Sequence, residues 1–185
     1  MTCTTGYRNC VRLVNPPLRF LLLGRRLLIM SPTFLPAVPP YPQRGWAVGD
    51  ISRRRHPVPD DLPLPPYRVL DLTLEEGHLC GRMLADLGAD VLKVEPPGGD
   101  QARKRGPFYQ GVDHPERSFH FWFYNLNKRG VTLDLTRPEG RDLLRRLIRS
   151  ADVLVESYPP GFLDSLGLGN GAFRDLNPKL VHTSI

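Results

Sequence analysis

From residue 67 onward the chain alternates between short apolar runs and longer stretches with helical spacing. Residues 67–72 (YRVLDL) have the character of a buried strand. Leu79, Met83, Leu84 and Leu87 then recur at helical intervals, predicting a helix over residues 74–87 that Gly88 closes. A second strand is predicted at residues 90–95 (DVLKVE), stopped by Pro96, Pro97, Gly98 and Gly99. After a polar stretch, the aromatic-rich residues 118–126 (SFHFWFYNL) read as helix, and residues 131–135 as a third strand. Thr136 and Glu139 have the spacing of a capping box, with Pro138 in the first turn, so a helix is predicted from there to Ser150. Residues 152–156 (DVLVE) form the fourth predicted strand. Short helices are expected over 162–166 and 171–176, and a fifth strand over 180–185.

Strands that read as continuous apolar runs and alternate with helices predict an α/β fold. The expected architecture is a Rossmann-like parallel sheet with flanking helices on both faces.

The first 66 residues break this pattern. Twelve of the twenty prolines lie between Pro16 and Pro66, where missing N–H donors oppose helices and central strands, so residues 1–66 are expected to be a largely disordered, basic, Pro-rich extension. Residues 67–185 are the expected folded part. Charge divides at nearly the same place: residues 1–60 hold nine arginines and two acids, while the remainder is close to neutral despite the chain's net +6. The basic character therefore belongs to the extension, and Arg53, Arg54 and Arg55 read as a solvated run. Neither a nucleic acid nor a membrane is expected as partner.

Within the apolar residues 18–30, Arg19, Arg25 and Arg26 interrupt any membrane span. The lack of acids before Asp50 is what an organelle transit peptide shows. An upstream region read from an early start codon, with Met30 as the later start, looks the same, and that non-functional reading is the expectation. Cys3, Cys10 and Cys80 have neither a disulfide framework nor metal spacing, so a reducing, cytoplasmic location is expected.

In an open parallel sheet, ligands bind beyond the carboxyl ends of the strands, here after Leu72, Glu95, Leu135 and Glu156. The first such loop lacks the glycine pattern of dinucleotide sites, and its adjacent Glu75 and Glu76 would repel a pyrophosphate. His56, His78, His114, His120 and His182 have no metal-ligand spacing, and each reads as packed or solvent-facing; no metal and no permanently bound cofactor are expected. No G-x-S-x-G elbow is present. Asp71, Asp86, Asp90, Glu95, Asp134 and Glu156 are read as structural acids.

Five segments in fixed order carry a more specific signal: YRVLDLT, MLADLGADVLKVEPPGGD, NLNKRGVTLDLTRPEGRDLL, ADVLVESYPPGFLDSLGL and LNPKLVHTSI. Together they resemble the amino-terminal part of family III (CaiB/BaiF-type) CoA-transferases, over residues 67–185. The resemblance implies a partial domain of that fold, a Rossmann-like large domain built from both ends of a longer chain, and an interlocked homodimer. It also implies coenzyme A or an acyl-CoA as substrate and a carboxylic acid as acceptor. In such enzymes an aspartate attacks the donor thioester, and anhydride and aspartyl-CoA intermediates follow. That aspartate is expected beyond Ile185, so no residue of this chain is assigned a catalytic role.

The CoA contacts implied by the resemblance fall at Glu75 and Glu76, at Leu133, Asp134, Leu135 and Thr136, and at Ser157, Tyr158 and Pro159. Several positions depart from the family pattern. The usual A-G-P-x-C run is represented by residues 75–80, one residue shorter, and a common arginine is missing at Pro96 and Pro97. Ser157 and Tyr158 replace Asn-Phe, and Ser165 stands at a frequently basic position. Arg103, Lys104 or Arg105 are the expected substitutes for phosphate contacts. An acyl-CoA racemase of the same superfamily, or a non-catalytic CoA-binding module or truncated remnant, are the alternative readings.

Overall fold

The computed structural model describes residues 11–13, 62–64 and 67–185. The expectation of disorder over residues 1–66 falls almost wholly outside the described residues. Five strands, β2 (Arg68–Leu72), β3 (Asp90–Glu95), β4 (Arg129–Thr132), β5 (Val153–Glu156) and β6 (Val181–Ser184), form a parallel sheet. A short strand, β1 (Val11–Leu13), pairs antiparallel with β4, giving the order β1-β4-β3-β2-β5-β6.

The pleat divides the strand side chains between two layers. On one face Leu70, Leu72, Leu92, Val94 and Leu154 pack beneath three helices. These are α3 (Pro138–Ile148), α4 (Phe162–Ser165) and α5 (Asn170–Leu176), which contribute Leu144, Leu147, Ile148, Leu163 and Phe173. On the other face Val69, Val91 and Val155 meet Ala85 of α1 (His78–Asp86), and α2 (Phe119–Asn125) packs beside α1.

The strands are not continuously apolar, which corrects the sequence expectation. Asp71, Lys93 and Glu95 occupy alternate positions on the α1 face, and all three are buried. Asp71 lies opposite Lys93 in register, so the charges answer one another within the sheet.

Element boundaries moved where side chains captured backbone groups. The helix predicted from residue 74 opens instead with a 3-10 turn, Glu75–Gly77, and becomes α-helical at His78. Gly88, at φ +103°, then ends α1 in the conformation that glycine adopts most readily. Strand β4 ends at Thr132 rather than Leu135, because Asp134 turns the chain by accepting hydrogen bonds from Thr136 N (3.1 Å) and Thr136 Oγ1 (2.5 Å). The same capture removes the predicted capping box: the N-cap of α3 is Arg137, which makes no side-chain cap bond, and Pro138 supplies the first turn.

Ser118 caps α2 through Phe121 N at 3.0 Å, as its position before the aromatic run suggests. At the far end of α3, Asn177 Nδ2 donates to Ile148 O (3.0 Å) and Ala151 O (2.8 Å), tying down the last helical carbonyl and the turn that follows it. Asn177→Ala is therefore expected to lower stability by about 1–2 kcal/mol, read as a lower urea midpoint with unchanged slope.

Candidate functional site

Chain order reverses direction between β2 and β5. From β2 the chain runs through β3 to β4 on one side, then returns across the other face to β5 and β6. Helices to the two sides thus leave the sheet on opposite faces, and a crevice opens beyond the carboxyl ends of β2 and β5. The loops that flank it are residues 73–77 and 157–161. They are tied directly, since Leu74 N donates to Ser157 Oγ at 2.7 Å.

Glu75, Glu76, Ser157, Tyr158 and Pro159 are brought together at this edge. Leu133, Asp134, Leu135 and Thr136 lie at the end of β4, separated from β2 by β3. At the usual interstrand spacing of about 4.8 Å, the β4 loop stands about 10 Å from β2, a span that suits an extended ligand. The side chains of Leu133 and Leu135 are buried in the core. Any contact from these two positions would therefore come from backbone. Leu74, Glu76 and Pro159 are exposed, so the crevice is an open shelf. Two cavities lie away from the paired β2 and β5 loops: one of about 540 Å³ beside α5 and β6, and one of about 400 Å³ at the carboxyl ends of β3 and β4.

Electrostatics at the shelf differ from what the two glutamates suggest. The Glu75 carboxylate is held by Arg105 Nη1 at 2.6 Å, which offsets its charge, and it lies 2.9 Å from His120 Nε2. Arg105 remains largely exposed. Arg103, by contrast, is buried in a two-pronged pair with Glu95 (Nε to Oε2 2.6 Å, Nη2 to Oε1 2.7 Å), also meets Glu116, and lies over the Phe121 ring. Its donors are consumed within the fold, so the expectation of a phosphate contact there is corrected.

Tyr158 packs at 4.9 Å from Phe162, and its hydroxyl is pushed up to about 12 by burial and by the nearby Asp100, Glu156 and Asp71 carboxylates. It is a neutral donor at physiological pH. Glu156, at the tip of β5, accepts from Tyr158 N (2.7 Å) and from Ser184 Oγ, which fixes the start of the loop. Asp86 and Asp90 likewise serve structural bonds, to Arg82 and Asn127 and to Arg68 and Arg129 respectively. Each of the six acids makes a hydrogen bond or ion pair within the fold, Asp134 with Thr136 at the end of β4.

Directly beneath the shelf is a buried polar network that sequence reading did not identify. Lys128 Nζ donates to Asp71 Oδ2 (2.7 Å), His78 O (2.8 Å) and Asn125 Oδ1 (2.9 Å). Lys93 Nζ donates to Thr73 O and pairs with Asp100 at 3.3 Å. Asp71 Oδ1 accepts from Thr73 N (3.0 Å) and Thr73 Oγ1 (2.6 Å), so the first residue of the β2 loop is clasped from below. Burial pushes the Asp71 carboxyl up, but Lys93, Lys128 and the hydrogen bonds outweigh it and hold the group below the ordinary carboxylate range. A signal existed in the charged residues at alternate positions of β2 and β3. Their partners, Lys128 before β4 and Asp100 and Arg103 after β3, could be found only in three dimensions.

A Rossmann-like half-sheet with its switch point between β2 and β5 defines the doubly wound class of α/β proteins, in which ligands bind beyond the carboxyl ends of the strands. Comparison with known proteins narrows it: the pattern of CoA-transferase family III matches residues 64–185, and the chain belongs to that family. It is 43% identical over 119 residues to the succinyl-CoA:(R)-benzylsuccinate CoA-transferase subunit BbsE of Thauera aromatica, covering 64% of this chain and 29% of that protein. It is 44% identical over 127 residues to the succinate–glutarate CoA-transferase of Agrobacterium fabrum, covering 66% and 32%. A CAIB/BAIF family protein from Brucella suis matches in structure with a TM-score of 0.61 at 38% identity, over 66% of this chain and 33% of that one. The chain thus spans about three-tenths of the length of these relatives. Among the described residues, no helix is long and apolar enough to cross a membrane.

Proposed function

We propose that residues 67–185 form the CoA-binding part of an acyl-CoA:carboxylate CoA-transferase. The observation that carries this reading is the pairing of the β2 and β5 loops at the switch point through Leu74 and Ser157, within a chain of this family. Coenzyme A is long and anionic at one end. On this reading it lies across the carboxyl edge of the sheet, from Leu133, Asp134, Leu135 and Thr136 past β3 to Glu75 and Glu76 and to Ser157, Tyr158 and Pro159.

Backbone groups carry much of this contact, because two of the nine positions commit their side chains to the core. Arg105, drawn to the shelf by Glu75, is the cation placed to meet a phosphate, with exposed Lys104 beside it. Ser157 and Tyr158 keep polar hydrogen-bonding groups where the family pattern has Asn-Phe.

The acyl donor is a CoA thioester and the acceptor a free carboxylate. None of the nine contact positions is assigned the role of the nucleophilic aspartate. The full assembly is an interlocked homodimer in the cytoplasm. Relatives named as CoA-transferases for several different acids support the transferase over the racemase and remnant alternatives.

Charge reversal at Arg105 and Lys104 tests the phosphate assignment. In calorimetric titration with CoA, Arg105→Glu/Lys104→Glu is expected to weaken binding by about tenfold or more. Affinity unchanged from the parent chain would refute it.

A further inference from the structure

The first residue of α1, His78, is fully buried and belongs to no catalytic or ligand-contacting set. Its Nε2 lies 3.0 Å from Asp100 Oδ2, and its Nδ1 lies 3.4 Å from Asn125 Nδ2. The direction of these bonds follows from their neighbours. Lys128 Nζ has only protons to offer, so the Asn125 atom 2.9 Å from it is the amide oxygen. The Asn125 amide nitrogen must then face His78, where it donates to Nδ1, and it also donates to Phe121 O at 3.1 Å. Nδ1 is therefore the acceptor, and the ring proton sits on Nε2 and points at Asp100.

A single chain of donors thus runs from Lys128 through Asn125 and His78 to Asp100. Asp100 in turn accepts from Ala102 N at 2.9 Å, and its own N–H donates to Glu95 Oε2 at 2.9 Å, which shapes the turn after β3. His78 immediately follows the Glu75–Gly77 turn of the β2 loop. Lys93, bonded to Thr73 O and paired with Asp100, makes a second tie between the same two loops.

We propose that His78 is a positioning residue that locks the β2 loop to the β3 loop and thereby sets the shelf on which coenzyme A lies. The ring carries a donor and an acceptor at a fixed separation, and it is wedged edge-on against Phe121. It therefore transmits the placement of α2 and the β3 turn to Glu75 and Glu76. The part of this inference that concerns coenzyme A rests on the function proposed above. The loop-locking part does not.

Two variants of the full chain test it. His78→Leu removes both bonds, whereas His78→Gln keeps a donor for Asp100 and an acceptor for Asn125. Amide hydrogen exchange in residues 73–77 and 100–105 is expected to quicken by about tenfold in His78→Leu, while α3 and β5 keep parental rates. His78→Gln is expected to stay near the parent. Nitrogen-15 NMR of the parent should show His78 protonated at Nε2 and bare at Nδ1. CoA affinity should fall by about tenfold in the leucine variant and recover in the glutamine variant. Uniformly faster exchange across the sheet, unaltered exchange in both loops, or the opposite tautomer would overturn the proposal. If the parent chain itself bound no CoA, the functional reading would fail while the exchange and tautomer results still decided the role of His78.

Discussion

Lys128→Met is expected to destabilise the chain by about 3–5 kcal/mol, because it strands a buried carboxylate without its principal partner. Asp71 and the Lys128 ammonium are both enclosed, and Lys128 also satisfies His78 O and Asn125 Oδ1. Methionine matches the length of the lysine stem but donates nothing. Lys93 stays near Asp71, but it is already committed to Thr73 O and Asp100. Urea denaturation reads the loss as a lower midpoint. The double variant Asp71→Asn/Lys128→Met should recover part of it, since the stranded charge is gone.

The loss is also expected to depend on pH in a definite direction. Asp71 titrates below the ordinary carboxylate range in the folded chain. Its stabilising contribution is therefore present above that range and is lost as pH falls through its depressed value. Lys128→Met weakens the depression, so the gap between parent and variant should narrow as pH falls below about 4. A gap below about 1 kcal/mol at neutral pH would show that the network is not held as described.

Gly140→Ala is the second large effect. A methyl group there would stand 1.9 Å from Asp134 O and 2.6 Å from Asp134 C, both backbone atoms that cannot rotate away. Either α3 must back off from the sheet or the β4 loop must shift. A cost of about 2–3 kcal/mol is expected, with CoA binding weakened through displacement of Leu133, Asp134, Leu135 and Thr136. Gly171→Ala, also on a helix but with open space around its site, is the control and should be neutral or mildly stabilising. Equal stability of the two alanine variants would contradict the close approach of α3 to this loop.

Much of the fold was legible because its strands and helices differ in apolar period. The five parallel strands, the aromatic helix α2 and the glycine closing α1 all follow from residue order alone. What failed was local competition. Thr136 and Glu139 spell a capping box, yet Asp134 takes the threonine hydroxyl first and ends β4 early. No spacing rule shows which acceptor wins.

The site was legible only as a set of strand ends. Glu75 looked like an obstacle to an anionic ligand until Arg105 and His120, far along the chain, were seen around its carboxylate. Arg103 looked available, and the fold spends it on Glu95. Asp71 and Lys93 each interrupt an apolar strand, and their meaning depends on register, which pairs them directly. The partners of such charges are distant in sequence and come into view only once the fold places them.

The most direct test of the CoA reading is a titration of the nitrogen-15-labelled chain with coenzyme A, followed by backbone amide shifts. Saturable shifts should cluster in residues 73–77, 133–137 and 157–161, at one edge of the sheet, with α5 and the β6 cavity unaffected. Shifts absent from all three loops, or confined to the cavity beside α5 and β6, would contradict it.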